Sequence, residues 1–217
     1  MKWRWPTRPV GNLSHSQSQE PRTERQKSLA LQALTSRLRT GERYNILDLG
    51  SSVGQNVDFF SEFCGKLYVQ DLYDDLISFD YFSPSGEVEL DKIYRYLLPF
   101  NPGTRFDIVF SWDLFNYLEE NECRGLMKHL ATFCRPDTLV LSMISTRKSI
   151  AERPAKYRIL DSQTITCENR TGIMKSCPRY REPQLARMMP AFKVLNSFLL
   201  RRGFKEYLFS FAPQINH

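Results

Sequence analysis

The sequence predicts an α/β fold with a largely parallel sheet, helices on both faces and a C-terminal antiparallel hairpin. Three observations support this prediction. Strand-like apolar runs alternate with helical patterns from residue 23 onward. Two of these runs, residues 106–113 and 138–145, are nearly continuous in apolar residues, which is typical of strands buried in a parallel sheet. The chain then ends on two β-rich runs separated by residues 201–203, where arginines and a glycine fit a hairpin loop better than the alternative of one long helix.

An amphipathic helix is predicted ahead of the first strand. It is expected to be capped by Thr23 or a neighbour and to stop at Gly41. Its apolar positions recur at helical spacing and are Ala30, Leu31, Leu34 and Leu38.

A strand–helix–strand unit follows that first helix. Residues 45–49 predict the first strand, and residues 66–71 predict the second. The helix between them is expected to begin after Gly54 and to end at a left-handed Gly65. Its apolar face is predicted at Val57, Phe60 and Phe63 or Cys64. The next stretch, residues 72–105, mixes acidic and aromatic residues with Pro and Gly and gives no clear third strand.

Further helices are predicted in the second half of the chain. Between the two apolar runs named above, residues 121–137 predict a helix that ends at Pro136. The inward positions of that helix are expected to be Leu126, Leu130 and Phe133. Residues 181–190 predict a short helix, and residues 191–211 predict the closing hairpin.

The domain organisation is predicted to be simple. Residues 1–22 are rich in Ser, Gln, Pro and Arg without an apolar period, which indicates a flexible basic tail. Residues 23–217 are expected to form one domain. Residues 146–180 form a long insertion after a strand end, and such insertions often serve as lids or substrate-binding elements.

Charge and cysteine content narrow the class of protein. Residues 46–146 carry seven Lys or Arg and sixteen Asp or Glu, whereas residues 147–205 carry fourteen and four. This asymmetry fits either an anionic partner or two solvated faces that neutralise each other. The five cysteines are odd in number and form no C-x-x-C pair, which argues against a disulfide framework and a zinc site. We expect a cytosolic protein without a membrane span, a signal peptide or a metal site.

The stretch "NILDLGSSVGQN", residues 45–56, predicts a sharp turn from a strand into a helix. Glycine is used where the backbone comes close to a ligand, and free N–H groups lie at the start of a helix. A nucleotide-like ligand is therefore one hypothesis, and an ordinary turn is the other. The dinucleotide pattern G-x-G-x-x-G is incomplete, because Ser52 and Gln55 stand at its later glycine positions. The phosphate-binding pattern G-x-x-x-x-G-K-[ST] is absent from the sequence.

The pattern "LDLGSSVG" resembles the first motif of the class I S-adenosylmethionine-dependent methyltransferases, a Rossmann-like family. Asp48, Gly50, Ser52 and Gly54 occupy the motif positions, with Ser52 in place of the family's middle glycine. "FDIVFSWDLFNYLE" is similar to the family's fourth motif, and the closing hairpin also resembles the family's ending. The resemblance implies S-adenosyl-L-methionine as the cofactor, with the Asp71 carboxylate on its ribose hydroxyls. It implies that the cofactor-binding residues are Asp48, Gly50, Ser51, Ser52, Gly54, Asp71, Trp112 and Asp113.

The chemistry of the turn agrees with that resemblance. A sulfonium cofactor needs carboxylates and backbone donors, and the turn has acids and no bases. Methyl transfer mainly requires that donor and acceptor are held in line about 3 Å apart. A general base is needed only when the nucleophile must lose a proton, and Asp113 and Tyr117 are the candidates for that role.

The acceptor is expected to be a small molecule or a protein. The sequence contains neither the N/D-P-P-[YF] pattern of amino-group methylation on bases nor a Pro-Cys pair that attacks pyrimidines. An RNA acceptor is an alternative because the insertion and the tail are basic. A non-catalytic cofactor-binding scaffold of the same fold is a second alternative. We expect the insertion to cover the acceptor pocket and to favour an anionic acceptor through Arg147, Lys148, Arg153, Lys156 and Arg158. Alternatively, these bases pair with the acidic central segment.

Overall fold

The computed structural model describes residues 22–78, 90–169, 172–200 and 203–213. The expected basic tail, residues 1–22, lies outside these ranges except for Arg22, which begins the first strand. Residues 79–89, the middle of the stretch without a clear strand, also lie outside them.

Eleven strands and six α-helices make up the described part of the chain. The strands are β1 (Arg22–Lys27), β2 (Tyr44–Asp48), β3 (Cys64–Val69), β4 (Phe106–Trp112), β5 (Cys134–Ser145), β6 (Ser149–Ala151), β7 (Lys156–Asp161), β8 (Thr164–Asn169), β9 (Met174–Ser176), β10 (Phe192–Leu200) and β11 (Phe204–Phe211). The helices are α1 (Leu29–Thr35), α2 (Gly54–Ser61), α3 (Leu72–Ser78), α4 (Leu90–Leu97), α5 (Glu120–Ala131) and α6 (Glu182–Met188). A 3-10 helix, Leu114–Tyr117, follows β4 directly.

The central sheet has six strands in the order β10-β11-β5-β4-β2-β3. Strands β3, β2, β4 and β5 run parallel, and β11 and β10 are antiparallel to them. The predicted α/β class, the parallel sheet and the closing hairpin are therefore confirmed. Because β2, β3 and β4 are parallel neighbours, their carboxyl ends meet at one edge, and the candidate site residues lie along it.

Two apolar cores cover the two faces of this sheet. One core lies under α4, α5 and α6 and includes Leu126, Leu185 and Tyr207. The other lies under α1, α2 and a small sheet of the order β1-β8-β7, and includes Phe60 and Ile165. The insertion is therefore not a separate appendage, because its hairpin β7–β8 contributes buried side chains to the second core.

The first elements that the structure describes differ from the sequence prediction. Thr23 lies in β1, which pairs with β8, and the helix begins only at Leu29. Ser28 is the cap, because its hydroxyl accepts a hydrogen bond from the Leu31 amide at 3.1 Å. The prediction of Thr23 as the cap was wrong, since the strand partner of these residues lies about 140 positions further along the chain. The predicted apolar face was correct at Ala30, Leu31 and Leu34, which are buried.

Two other helices are shorter than predicted. Helix α2 ends at Ser61, so Gly65 lies in β3 and has no left-handed conformation, and Val57 is 42% exposed. Helix α5 ends at Ala131, and β5 already begins at Cys134. The Thr138 hydroxyl accepts a hydrogen bond from the Arg135 amide and donates one to the Phe106 carbonyl. These bonds bring the chain into the sheet, so the helix has already ended before Pro136.

The remaining features concern the unassigned stretch and the cysteines. The described part of residues 72–105 holds the helices α3 and α4. The cysteines are unpaired; Cys64 is partly buried, and Cys123, Cys134, Cys167 and Cys177 are buried. Among the described residues, none of the helices has the length and apolar character to cross a bilayer. In the same residues, no group of three His, Cys, Asp or Glu side chains could hold a metal ion.

Candidate cofactor site

The glycine turn after β2 is organised by one buried carboxylate. Asp48 is 2% exposed, and its Oδ1 accepts hydrogen bonds from the Gly50 amide at 3.0 Å and from the Trp112 indole Nε1 at 2.7 Å. The turn therefore folds back on the last residue of the strand that precedes it. Burial raises the pKa of Asp48 to about 6, and the hydrogen bonds from Gly50, Trp112 and Asn56 oppose that shift.

Trp112 occupies the space directly beside the first glycine of the turn. A Cβ atom built on Gly50 would lie 2.6 Å from Cδ1 of Trp112, so no larger residue fits there without a shift. The backbone of Trp112 has a φ of 47°, and the pairing of β4 with β5 is irregular between Phe110 and Trp112. Such an irregularity re-aims a side chain, and here it turns the indole toward Gly50.

Two aromatic rings stack on the Trp112 indole. Tyr157 of β7 stacks on it with a centroid distance of 5.0 Å and an interplanar angle of 3°. Phe110 stacks on it at 5.2 Å. Because Tyr157 belongs to the insertion, this stack joins the insertion to the glycine turn.

The other end of the turn is polar and more open. The Ser51 hydroxyl donates to Oδ2 of Asp71 at 2.7 Å, and Oδ1 of Asp71 accepts from the Asp74 amide at 3.3 Å. These bonds connect the turn after β2 with the residue that follows β3. A Cβ built on Gly54 would meet nothing within 4 Å, and Ser52 is exposed. Since a carboxylate offers about four lone-pair sites, Asp71 retains capacity to accept hydrogen bonds from a diol.

Asp113 and Tyr117, the two candidate bases, hold the main chain of the insertion. Oδ2 of Asp113 accepts a hydrogen bond from the Ala155 amide at 3.2 Å. The Tyr117 hydroxyl donates to the Arg153 carbonyl at 2.9 Å, and burial raises its pKa far above the usual value for tyrosine. A tyrosine whose ionisation is so strongly opposed is a poor base near neutral pH.

Helix α3 holds the same segment from the opposite side. The Tyr73 hydroxyl donates to the Glu152 carbonyl at 2.8 Å, and Arg153 pairs with Asp74 at 3.0 Å. Residues 152–155, which we call the strap, thus cross the sheet edge from α3 to the end of β4. One of the five insertion bases therefore pairs with the acidic central segment, whereas Arg158 pairs with Glu168 inside the insertion.

Asn56 is a site residue that the sequence analysis missed. It is 2% exposed, its Nδ2 donates to the Tyr157 carbonyl at 3.0 Å, and its Oδ1 accepts from the Ile159 amide at 2.8 Å. The Asn56 side chain thus pairs with β7 as a neighbouring strand would, and it also contacts the Asp48 carboxylate. Its signal in the sequence was only a polar residue in the first turn of a helix, which is ordinarily solvated.

The structure brings the expected site residues to one edge but divides them into two groups. Ser51, Ser52, Gly54 and Asp71 form an open polar group that we call the ribose side. Trp112, Asp113 and Tyr117, with the strap and Tyr157 over them, form a filled group that we call the covered side. Asp48 and Gly50 lie between the two groups. On the ribose side the Asp71 carboxylate and the Ser51 hydroxyl lie beside the exposed Ser52 and Gly54, and this chemistry fits the adenosine end of a sulfonium nucleoside.

Comparison with known proteins places the chain in a family. A family model described as "Methyltransferase domain" matches residues 22–192. No curated protein matches the chain. A structure of an S-adenosylmethionine-dependent methyltransferase from Clostridium acetobutylicum is similar, with a TM-score of 0.50 and 13% sequence identity over 84% of this chain and 90% of that chain. A second similar structure is that of the 1,6-didemethyltoxoflavin-N1-methyltransferase of Burkholderia thailandensis with bound 1,6-didemethyltoxoflavin and S-adenosylhomocysteine. Its TM-score is 0.48, and the sequence identity is 16% over 85% of this chain and 77% of that chain. At these identities the likeness concerns the fold alone.

Proposed function

The chain belongs to the methyltransferase-domain family and is an S-adenosylmethionine-dependent methyltransferase, and from that premise we propose that it methylates a small molecule or a protein in the cytosol. The observation that carries the site assignment is the bond from the Ser51 hydroxyl to Asp71 beside the open Gly54. It joins the ends of β2 and β3 at the edge where ligands of open α/β sheets bind. The bound cofactor supplies an electrophilic methyl group on a sulfonium centre.

The proposal assigns different roles to the two groups of residues. Asp71 accepts from the ribose hydroxyls, while Ser51, Ser52 and the backbone at Gly54 surround the nucleoside. Asp48 fixes the turn by binding Gly50 and Trp112. Asp113 and Tyr117 position the insertion over the acceptor side, so neither needs to act as a base. In-line transfer then depends on positioning and on the exclusion of water rather than on proton removal.

The acceptor class can be tested with a methyl-labelled cofactor and a cell extract. The extract is separated into small molecules, protein and RNA before each fraction is incubated with enzyme. We expect label in the small-molecule or the protein fraction, and none with Asp71→Ala. Label confined to RNA would contradict the proposed acceptor class. Absence of label from every fraction, with cofactor binding intact, would favour the scaffold instead.

A further inference from the structure

A concave region that is separate from the candidate cofactor site lies at the carboxyl edge of the sheet, beyond the covered side. It is a cleft of about 450 Å³ between the end of β5, the start of β11 and the chain that leads into α6. This volume lies within the usual range of about 300 to 1,000 Å³ for small-molecule sites. We call it the β5 cleft, and nothing in the site described above occupies it.

The β5 cleft opens on the same sheet edge as the glycine turn. Strands β4 and β5 are parallel, and Trp112 stands opposite Ser142. Ser145, which lines the cleft, lies three residues further along β5, or roughly 10 Å past that level. Asn116 connects the two places, because its side chain donates to the Met143 carbonyl and accepts from the Ser145 amide. A molecule with two ends could therefore reach from the cleft toward the end of β4.

The charge of the β5 cleft is mainly positive. Arg179, Arg181 and Lys205 line it, against the single carboxylate of Glu182. The Lys205 Nζ lies 3.6 Å from the Glu182 carboxylate and 4.8 Å from the ring centre of Tyr207. A side-chain hydrogen bond to Tyr207 raises the pKa of Lys205, so this lysine stays charged. Within the ranges that the structure describes, neither arginine forms an ion pair. Both arginines are exposed, and the one carboxylate among the lining residues, that of Glu182, pairs with Lys205.

The walls of the β5 cleft are held by bonds to the core. The Tyr180 hydroxyl donates to the Leu118 carbonyl at 2.7 Å, and the Thr146 amide donates to the Gly203 carbonyl at 2.8 Å. Tyr207 and Ser145 are buried below the cleft. Arg179 has a φ of 54°, a left-handed conformation that arginine rarely adopts. These bonds fix the backbone that carries the two arginines before a ligand arrives, and this lowers the entropic cost of binding.

We propose that the β5 cleft binds the oxyanion, carboxylate or phosphate, of a small methyl acceptor and thereby orients its other end toward the covered side. This inference rests on the proposed function, and it names the chemical class of the acceptor. Arginine pairs bind planar or tetrahedral oxyanions through several parallel N–H bonds. A concave cleft of this size encloses one anionic group, whereas an RNA would need an extended basic surface.

The test measures anion binding in the full-length protein by amide chemical shifts. Sodium phosphate and, separately, sodium acetate are titrated at constant ionic strength against sodium chloride. Saturable shifts are expected at Ser145, Thr146, residues 179–182, Gln184 and Lys205. The variant pair Arg179→Gly and Arg181→Ala should weaken phosphate binding by about tenfold or more. Glycine suits the left-handed conformation at position 179. The matched control Arg187→Ala, on α6 outside the cleft lining, should change affinity less than about twofold.

Calorimetry of S-adenosylhomocysteine binding to the same samples tests the proposed function separately from the β5 cleft. Cofactor binding without any saturable cleft shift would overturn the β5 cleft and leave the proposed function intact. Shifts spread equally over all surface bases, or equal losses in the variant pair and in Arg187→Ala, would also overturn it. Tighter binding of an RNA oligonucleotide than of phosphate, lost in the variant pair, would replace the small acceptor with RNA. Cleft shifts without cofactor binding would instead contradict the function on which the inference rests.

Discussion

The ribose side is built from the glycine turn of the first motif and Asp71, and the covered side is built from the stretch similar to the fourth motif; the two sides differ in what surrounds them. On the ribose side, Asp71 is bonded to Ser51 and lies beside open space at Gly54. On the covered side, two aromatic rings stack on the Trp112 ring, and Asp113 accepts a hydrogen bond from the Ala155 amide. Likeness to a family motif therefore accompanies an open polar group on one side and a packed aromatic group on the other. Long-range packing, which a short motif does not encode, makes the difference.

The largest effect is expected from removing a core side chain of the insertion. Ile165 is fully buried in the core under α1 and α2, so Ile165→Ala should lower the free energy of unfolding by about 2 to 5 kcal/mol. Leu160→Ala, on the same hairpin but 41% exposed, should cost less than about 1 kcal/mol. Urea unfolding of both variants and of the natural chain measures these differences in the free energy of unfolding. Equal, small losses would mean that the insertion is a loosely attached lid and that the covered side is not fixed by packing.

A smaller effect, which depends on pH, is expected at the residue between the two sides. Because burial raises the pKa of Asp48 to about 6, the folded chain retains this proton over a range where the unfolded chain, with a pKa of about 3.9, has lost it. The free energy of unfolding should therefore fall as pH rises from about 4 to about 6 and stay level above. The fall in the free energy of unfolding that is due to Asp48 should be on the order of 2 to 3 kcal/mol in total.

The variant Asp48→Asn isolates that contribution, since an amide oxygen can still accept from Gly50 and Trp112. Urea unfolding at pH 4.5, 6.0 and 7.5 should show the variant gaining stability relative to the natural chain as pH rises. Asp58→Asn, exposed on α2, serves as the control for the loss of one surface charge. Parallel pH profiles for the natural chain and Asp48→Asn would contradict a buried, protonated carboxyl at the turn.

The smallest effect is expected from loosening the strap. Tyr117→Phe removes the donor to the Arg153 carbonyl and should cost about 1 kcal/mol. Amide hydrogen exchange of residues 152–155 should become faster, while exchange in the central strands stays unchanged. Tyr73→Phe, which removes the donor to Glu152, should act in the same direction. Unchanged exchange in both variants would mean that other contacts hold the strap.

Much of the fold could be predicted because local sequence patterns determine most of its strands and turns. The strands at 45–49, 106–113 and 138–145 were placed to within a few residues, and the closing hairpin was predicted with its turn at Gly203. Each of these segments has an apolar period or a turn residue of its own. Strand β1 has neither, because its own residues are polar. It forms only by pairing with β8, which is distant in sequence.

The position of the expected residues at one sheet edge was predictable from the sequence, but their contacts were not. Asp48, Gly50, Asp71 and Asp113 were expected at one sheet edge, and the structure places them there. The roles of Trp112 and Tyr117 depend on contacts with residues about 36 to 45 positions away, which no local pattern shows. Asn56 was missed for the same reason, since its partners lie on β7.

The measurement that tests the central claim most directly is calorimetry of S-adenosylmethionine and S-adenosylhomocysteine with the natural chain and with Asp71→Ala. We predict saturable heat for the natural chain and at least tenfold weaker binding for the variant, because hydrogen bonds to a charged acceptor contribute about 1.5 to 3 kcal/mol each. Asp58→Ala should bind as the natural chain does, and thermal unfolding confirms that each variant is folded. No heat and no thermal stabilisation with either ligand at millimolar concentration would contradict the account.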